Sequence, residues 1–165
     1  PSDPTARRLP GVTDIVPRES SNPADFASIF QEVAPGFTKV TSGEGGVALL
    51  KEFRGRPGVV RTHPVSRDQP AEMSGMFQIP AGKKTTLVIE VSHDPRGDWR
   101  LVMGNSSGRL LDEMVGRETC KDGWCRYTFD MTRFAGQEVQ NRMWNQANDW
   151  AYEFGYWGLV GLVSE

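Results

Sequence analysis

The residues able to do chemistry are few and dispersed. There are two histidines, His63 in Thr62-His63-Pro64 and His93 in Ser92-His93-Asp94. Neither His-x-His nor His-x-x-x-His spacing is present, so no local pair is set to hold a transition metal. A metal centre would need the fold to bring both rings to Asp94, Asp68 or Glu118. No Gly-x-Ser-x-Gly nucleophile elbow occurs. Gly43-Glu44-Gly45-Gly46 leads into an apolar strand rather than a helix, so it reads as a turn and not as a phosphate cradle. Carboxylate pairs for glycoside hydrolysis are defined by a separation of roughly 5–10 Å in space, which spacing along the chain does not decide. No catalytic centre is marked, and a non-enzymatic role without an organic cofactor is expected.

Saccharide binding asks for less. It needs an aromatic face for the C–H side of a sugar ring and planar charged or amide groups for its hydroxyls. Trp150 and Tyr152 can supply the first, and Arg96, Asp98, Asn148 and Asp149 the second. Each has a plainer use. Trp150 can seal one end of a core, Asp98 can serve the turn Arg96-Gly97-Asp98, and Asn148 and Asp149 are ordinary loop residues. Trp144 is a further candidate, on a strand whose Val139 and Met143 face inward. Placed outward beside Arg142, it is either a stacking platform or is covered by a neighbouring segment. His63 and His93 count as candidate ligand contacts, with a hydrogen-bonded structural role as the alternative.

Those side chains depend on the elements that carry them. The chain has 165 residues, the size of one domain with a short tail. Lys and Arg number 19 against 21 Asp and Glu, and this balance excludes the basic excess that phosphate neutralisation requires. No apolar run approaches the roughly 18 residues of a membrane-spanning helix. Residues 1–21 hold four prolines and no periodicity, and read as a linker or poorly ordered tail ahead of a domain over 22–165. The start at Pro1, without Met, suggests a processed or excised piece tethered to a longer chain. Asn22 as cap, Pro23 at the first position and Asp25 in the first turn predict a short helix, with Phe26, Ile29 and Phe30 on one face. Pro35-Gly36 ends it.

From residue 46 the period is two. Strands are predicted over 47–52, 59–62, 74–79, 85–92, 99–103, 110–115, 124–131, 138–145 and 156–164. Their connections are short and rich in Gly, Pro and Asp, too short for the crossovers of a parallel sheet. An all-β, antiparallel sandwich follows. Alternate loops of such a sandwich gather at one end. Loops 62–73, 93–98, 116–123 and 145–155 therefore share an end that carries both histidines, Arg67, Glu153 and the candidate residues of those loops. Loops 80–84, 104–109 and 132–137 form the other, with few functional groups. The last strand, apolar on both faces at Tyr156 and Trp157, should be central. Trp99 and Trp124 each begin a strand and are expected to plug the core. Cys120 and Cys125, around Asp122-Gly123, can close a local disulfide in an oxidising compartment or stay as two thiols in a hairpin.

The second half resembles a known family. Lys83–Val91, Gly97–Val102, Trp124, the run Tyr127-Thr128-Phe129-Asp130-Met131-Thr132 with Ala135-Gly136-Gln137-Glu138-Val139, and the closing Asn148-Asp149-Trp150 and Gly155–Val160 resemble the galactose-binding-like jelly roll of carbohydrate-binding modules in secreted bacterial proteins. The resemblance spans roughly 46–164. It implies a jelly-roll fold, an extracellular or periplasmic location and a poly- or oligosaccharide partner for an accessory domain. It also implies that a structural calcium is compatible with the fold, for which Asp25, Glu44 and Asp149 are acidic candidates but form no Asp-x-Asp-x-Asp loop. A structural or protein–protein interaction module on the same fold is the alternative, and a hydrolase with His63 and His93 converging on carboxylates is a third reading.

Overall fold

Strict alternation of burial is clearest in Glu138–Gln146, where Val139, Asn141, Met143 and Asn145 point inward and Glu138, Gln140 and Arg142 outward. Ten such strands build two five-stranded antiparallel sheets. The computed structural model describes the backbone from Pro23 to Glu165 and side chains from Ala27 onward. The expected tail over 1–21, the Asn22 cap and the side chains of Asp25 and Phe26 lie outside the described residues.

The first sheet has the order β1 (Lys39–Thr41), β4 (Ala71–Gln78), β9 (Glu138–Gln146), β6 (Trp99–Asn105) and β7 (Gly108–Val115). The second has the order β2 (Ala48–Phe53), β3 (Arg56–Thr62), β10 (Gly155–Ser164), β5 (Thr85–His93) and β8 (Trp124–Asp130). This is the jelly-roll sandwich. All nine expected strands are present with shifted ends. The three-residue β1 is additional, too short to show a period. Helix α1 (Pro23–Val33) buries Phe30 and Val33 in the core and packs beside β10 and β3.

Between the sheets, Leu87, Ile89 and Val91 of β5 face Leu101 and Met103 of β6 in one continuous apolar core. Trp157 of the central β10 and Trp99 are both fully buried, with ring centroids 5.1 Å apart. Each indole N–H has an acceptor, Thr62 Oγ1 at 2.9 Å for Trp157 and the Ser92 carbonyl at 2.9 Å for Trp99. Satisfied in this way, the two rings contribute their large apolar area without a polar penalty.

Trp124 departs from the expectation. It lies on the outer face of the second sheet, half-buried, because Cys125, Tyr127 and Phe129 take the inner positions of β8. What covers it is the β2–β3 hairpin. Arg54 and Gly55 form a two-residue turn with φ of 48° and 82°, the geometry in which a residue at the second position is best a glycine. The tip folds over the sheet: Phe53 stacks on Tyr156 at 3.8 Å, the Arg56 guanidinium lies 4.7 Å from the Trp124 ring, and Arg56 pairs with Glu90 at 2.7 Å. The second sheet thus closes its own outer face. Cys120 and Cys125 are joined by a disulfide that ties the start of β8 to the loop before it.

Trp157→Ala should destabilise the domain by about 3–5 kcal/mol in urea unfolding. Trp157→Phe should cost less and report the lost bond to Thr62.

Candidate functional site at the loop end

Antiparallel register fixes which loops meet. Gly155 of β10 pairs with both Thr62 of β3 and His93 of β5, Ser92 pairs with Trp124, and Asn145 of β9 pairs with Ala71 and Leu101. Segments 63–70, 94–98, 116–123 and 147–154 therefore crown one end of the sandwich, as the alternation of loops predicts.

A buried amide locks them together. Asn145 Nδ2 lies 3.3 Å from the Thr62 carbonyl, 3.1 Å from Thr62 Oγ1 and 3.2 Å from the Glu153 carbonyl. Gly155 has to be glycine here, since a Cβ would stand 2.8 Å from Asn145 Nδ2 and 3.1 Å from the Trp99 ring. Gly97 has the same role between loops. Its added Cβ would sit 2.3 Å from the Tyr152 carbonyl oxygen and 2.4 Å from that of Ala151, so segments 94–98 and 147–154 lie in backbone contact.

Asp94, 3% exposed, organises the first of these loops. It accepts the Arg96 backbone N–H at 2.9 Å and the Arg96 guanidinium at 2.9 and 3.0 Å. Burial alone would raise its pKa; the bonds from Arg96 outweigh that and hold it below the ordinary aspartate range. So fixed, the Arg96 guanidinium lies 4.0 Å from the centre of the Tyr152 ring. Two further pairs of this kind occur at the same end, Arg67 over Trp150 at 5.9 Å and Arg61 over Phe154 at 5.2 Å. Trp150 is 37% and Tyr152 45% exposed, two positions apart on one loop and each flanked by an arginine.

The histidines serve as support. His63 is 4% and His93 2% exposed. Each places Nδ1 2.8 Å from a neighbouring carbonyl, Pro64 for His63 and Asp94 for His93, so each Nδ1–H donates. The His63 ring packs edge-on against Trp150 at 5.1 Å and Phe154 at 4.8 Å, propping the exposed indole from below. Both rings are almost wholly buried, and His93 lies at the floor of a depression it shares with Arg54, Pro95 and Arg117.

Asp98, Asn148 and Asp149 are also bonded into the framework. Asn148 Nδ2 donates to Asp98 Oδ1 at 3.2 Å, its backbone N–H to Glu153 Oε1 at 2.6 Å, and the Ala151 N–H to Asp149 Oδ1 at 2.8 Å. Glu153 is fully buried. Removal from water, with the Asp149 and Asp98 carboxylates close by, pushes its pKa up to about 8 despite the Asn148 N–H. One acidic oxygen from each of Asp98, Asp149 and Glu153 lies within 4.8 Å of the others. Glu44, by contrast, is exposed. Sequence reasoning puts Glu153 at this end but gives no ground for singling it out, because its burial depends on Asn145 and Asn148 reaching it from elsewhere in the fold.

Three depressions accompany the site. One of about 530 Å³ lies between Pro95–Asp98 and Gly116–Thr119. A second of about 560 Å³ lies beside it, between Arg54, His93, Arg117 and Gly123. The third, about 440 Å³, is on the outer face of the first sheet beside Trp144, with Glu72, Arg109, Arg142 and Gln146 around it. Trp144 does face outward, half-buried, with its N–H held by Glu72 at 2.7 Å and its ring edge against Gly104.

Among solved structures, the chain is similar to TmCBM61 in complex with β-1,4-galactotriose, at 12% identity and a TM-score of 0.51, covering 77% of this chain and 88% of that one. It is also similar to the CBM22-1 xylan-binding domain of Paenibacillus barcinonensis Xyn10C, at 10% identity and a TM-score of 0.50, covering 82% and 90%. The fold is therefore that of carbohydrate-binding modules. No protein-family model matches the sequence, and no curated protein matches it.

Asn145→Ala strips donors from two loop anchors and should cost about 1–3 kcal/mol, with faster amide exchange confined to 147–154. Asp94 supplies the pH dependence. Its lowered folded-state pKa stabilises the domain above the ordinary aspartate pKa, and that contribution is lost as pH falls through the folded value. The melting temperatures of wild type and Asp94→Asn should therefore differ at neutral pH and converge below about pH 4.

Proposed function

We propose that this domain binds a poly- or oligosaccharide at its loop end, without catalysis, as an accessory module of a larger secreted protein. The observation that carries the reading is the exposure of both Trp150 and Tyr152 on one buttressed loop, flanked by Arg67 and Arg96. Exposed aromatic faces next to planar donors match the two faces of a sugar ring, one of C–H groups and one of hydroxyls. Because Asn145, Gly97 and His63 hold the loop from beneath, little ordering entropy is lost on binding. Arg96 and Arg67 contribute donors at the rim, and Asp98, Asn148 and Asp149 set the loop's shape and offer further polar atoms.

Two independent features agree with it. Of the fold neighbours described above, one is in complex with β-1,4-galactotriose and the other is a xylan-binding domain. The Cys120–Cys125 disulfide suits an extracellular or periplasmic location. No helix among the described residues is long and apolar enough to cross a membrane. A second placement of the same function is the groove beside Trp144, favoured by its ring of planar polar side chains.

Glycan-array binding followed by titration of variants separates these. Trp150→Ala and Tyr152→Ala should each lower affinity by about tenfold or more, close to 1.4 kcal/mol, while Trp144→Ala retains it. Loss in Trp144→Ala alone moves the site to the sheet face. Absence of any glycan ligand refutes the function and leaves the interaction-module reading.

A further inference from the structure

The depression between Arg54, His93, Arg117 and Gly123 is not used by the two exposed rings. At about 560 Å³ it has the size of a small-ligand site. Its walls are stiff. Two tight turns meet there, Arg54-Gly55 and Asp122-Gly123, with all four residues at positive φ. The first position of such a turn ordinarily takes Asn, Asp or Gly, yet here one turn carries an arginine. That side chain crosses to the neighbouring loops. Its Nη2 donates to the His93 carbonyl at 3.1 Å, and a Cβ at Gly123 would stand 2.3 Å from its Nη1, so the glycine makes room for it. Pro95 and the disulfide-bonded Cys120 complete the wall. The Arg54 guanidinium is thus held in place while keeping further N–H donors. Arg117 joins it from loop 116–123. Among the described residues neither arginine forms a salt bridge. Asp122 is the one carboxylate on the lining, so positive charge is in excess.

We propose that this depression takes the acidic group of a charged saccharide, a uronate carboxylate or a sulfate ester, which makes the ligand of the loop end an acidic glycan; this rests on the saccharide reading of Trp150 and Tyr152. A guanidinium fork matches the paired oxygens of either group, and a wall already fixed by two turns and a disulfide needs little reordering on binding. His93 adds a second contact. Its Nδ1–H is taken by the Asp94 carbonyl, which leaves Nε2 to accept from a sugar hydroxyl. The depression shares Pro95 and Arg117 with the one between Pro95–Asp98 and Gly116–Thr119. Arg96 lines that second one, and its guanidinium lies over Tyr152. Sugar units stacked at the rings therefore have a continuous path to Arg117 and Arg54. Asp98 and Glu118 line the intermediate stretch, which suits hydroxyls rather than a further anion.

The test is an amide NMR titration of the labelled 165-residue chain with sodium glucuronate, glucose 6-sulfate and glucose at matched ionic strength. Glucuronate or glucose 6-sulfate should shift the amides of Arg54, His93 and Gly123, and glucose should leave them unmoved. The tighter of the two identifies the acidic group. Arg117→Gln and Arg54→Asn, with unchanged circular dichroism, should each weaken that binding by about tenfold or more. Asn suits the positive-φ position of Arg54; should that variant still fail to fold, Arg117→Gln, at an exposed position, carries the comparison. Silence of those amides toward both acidic sugars overturns the proposal, as does undiminished affinity in Arg117→Gln. If a neutral glycan binds through Trp150 while both acidic sugars leave them silent, this inference alone falls and the saccharide reading stands. A response to glucuronate in a chain that binds no glycan on the array supports the anion site and removes only the saccharide reading.

Discussion

The side-chain amide of Asn145 donates to Thr62 and to the Glu153 carbonyl, and through these bonds fixes where the end of β3, the end of β9 and the approach to β10 sit. Much at the loop end follows from it. Thr62 Oγ1, held by the amide, also accepts the Trp157 indole, so the core and the crown share one polar anchor. Gly155 leaves the space the amide and the Trp99 ring occupy. With segment 147–154 pinned at its base, Trp150 and Tyr152 are carried outward, against the normal tendency of such rings to be buried.

The sandwich treats its two outer faces differently. The second sheet is closed by its own hairpin, with Phe53, Tyr156 and Trp124 packed together and Glu90 set between Arg56 and Arg126. The first sheet stays open and polar around Trp144. At the crown, the recurring device is a guanidinium laid over an aromatic ring, as in Arg96 with Tyr152 and Arg67 with Trp150. Each pair keeps a large exposed ring partly shielded while leaving planar donors at the surface.

The architecture was legible because period-two alternation is a local signal. Leu87, Ile89 and Val91 announce the inner face of β5 without help from other segments, and alternation of loops follows once the strands are counted. The gathering of Arg96, Asp98, Asn148, Asp149, Trp150 and Tyr152 at one end came from the same count. What the sequence concealed is burial that arises between segments. His63 and His93 look like chemistry in a loop, yet Trp150, Phe154 and backbone carbonyls enclose them. Glu153 looks like a surface acid, and Trp124 like a core plug, until the β2–β3 hairpin and the Asn148 N–H are in place. The closeness of Gly97 to Tyr152 is similarly a contact across 55 residues that only the register creates.

The most direct measurement is a two-dimensional amide NMR titration of the isotopically labelled chain with a saccharide selected on the array. Binding at the crown requires the perturbed amides to cluster in 63–68, 94–98 and 147–154, together with the indole N–H of Trp150. Perturbations confined to β4, β6 and β9 around Trp144, with the crown silent, would contradict it.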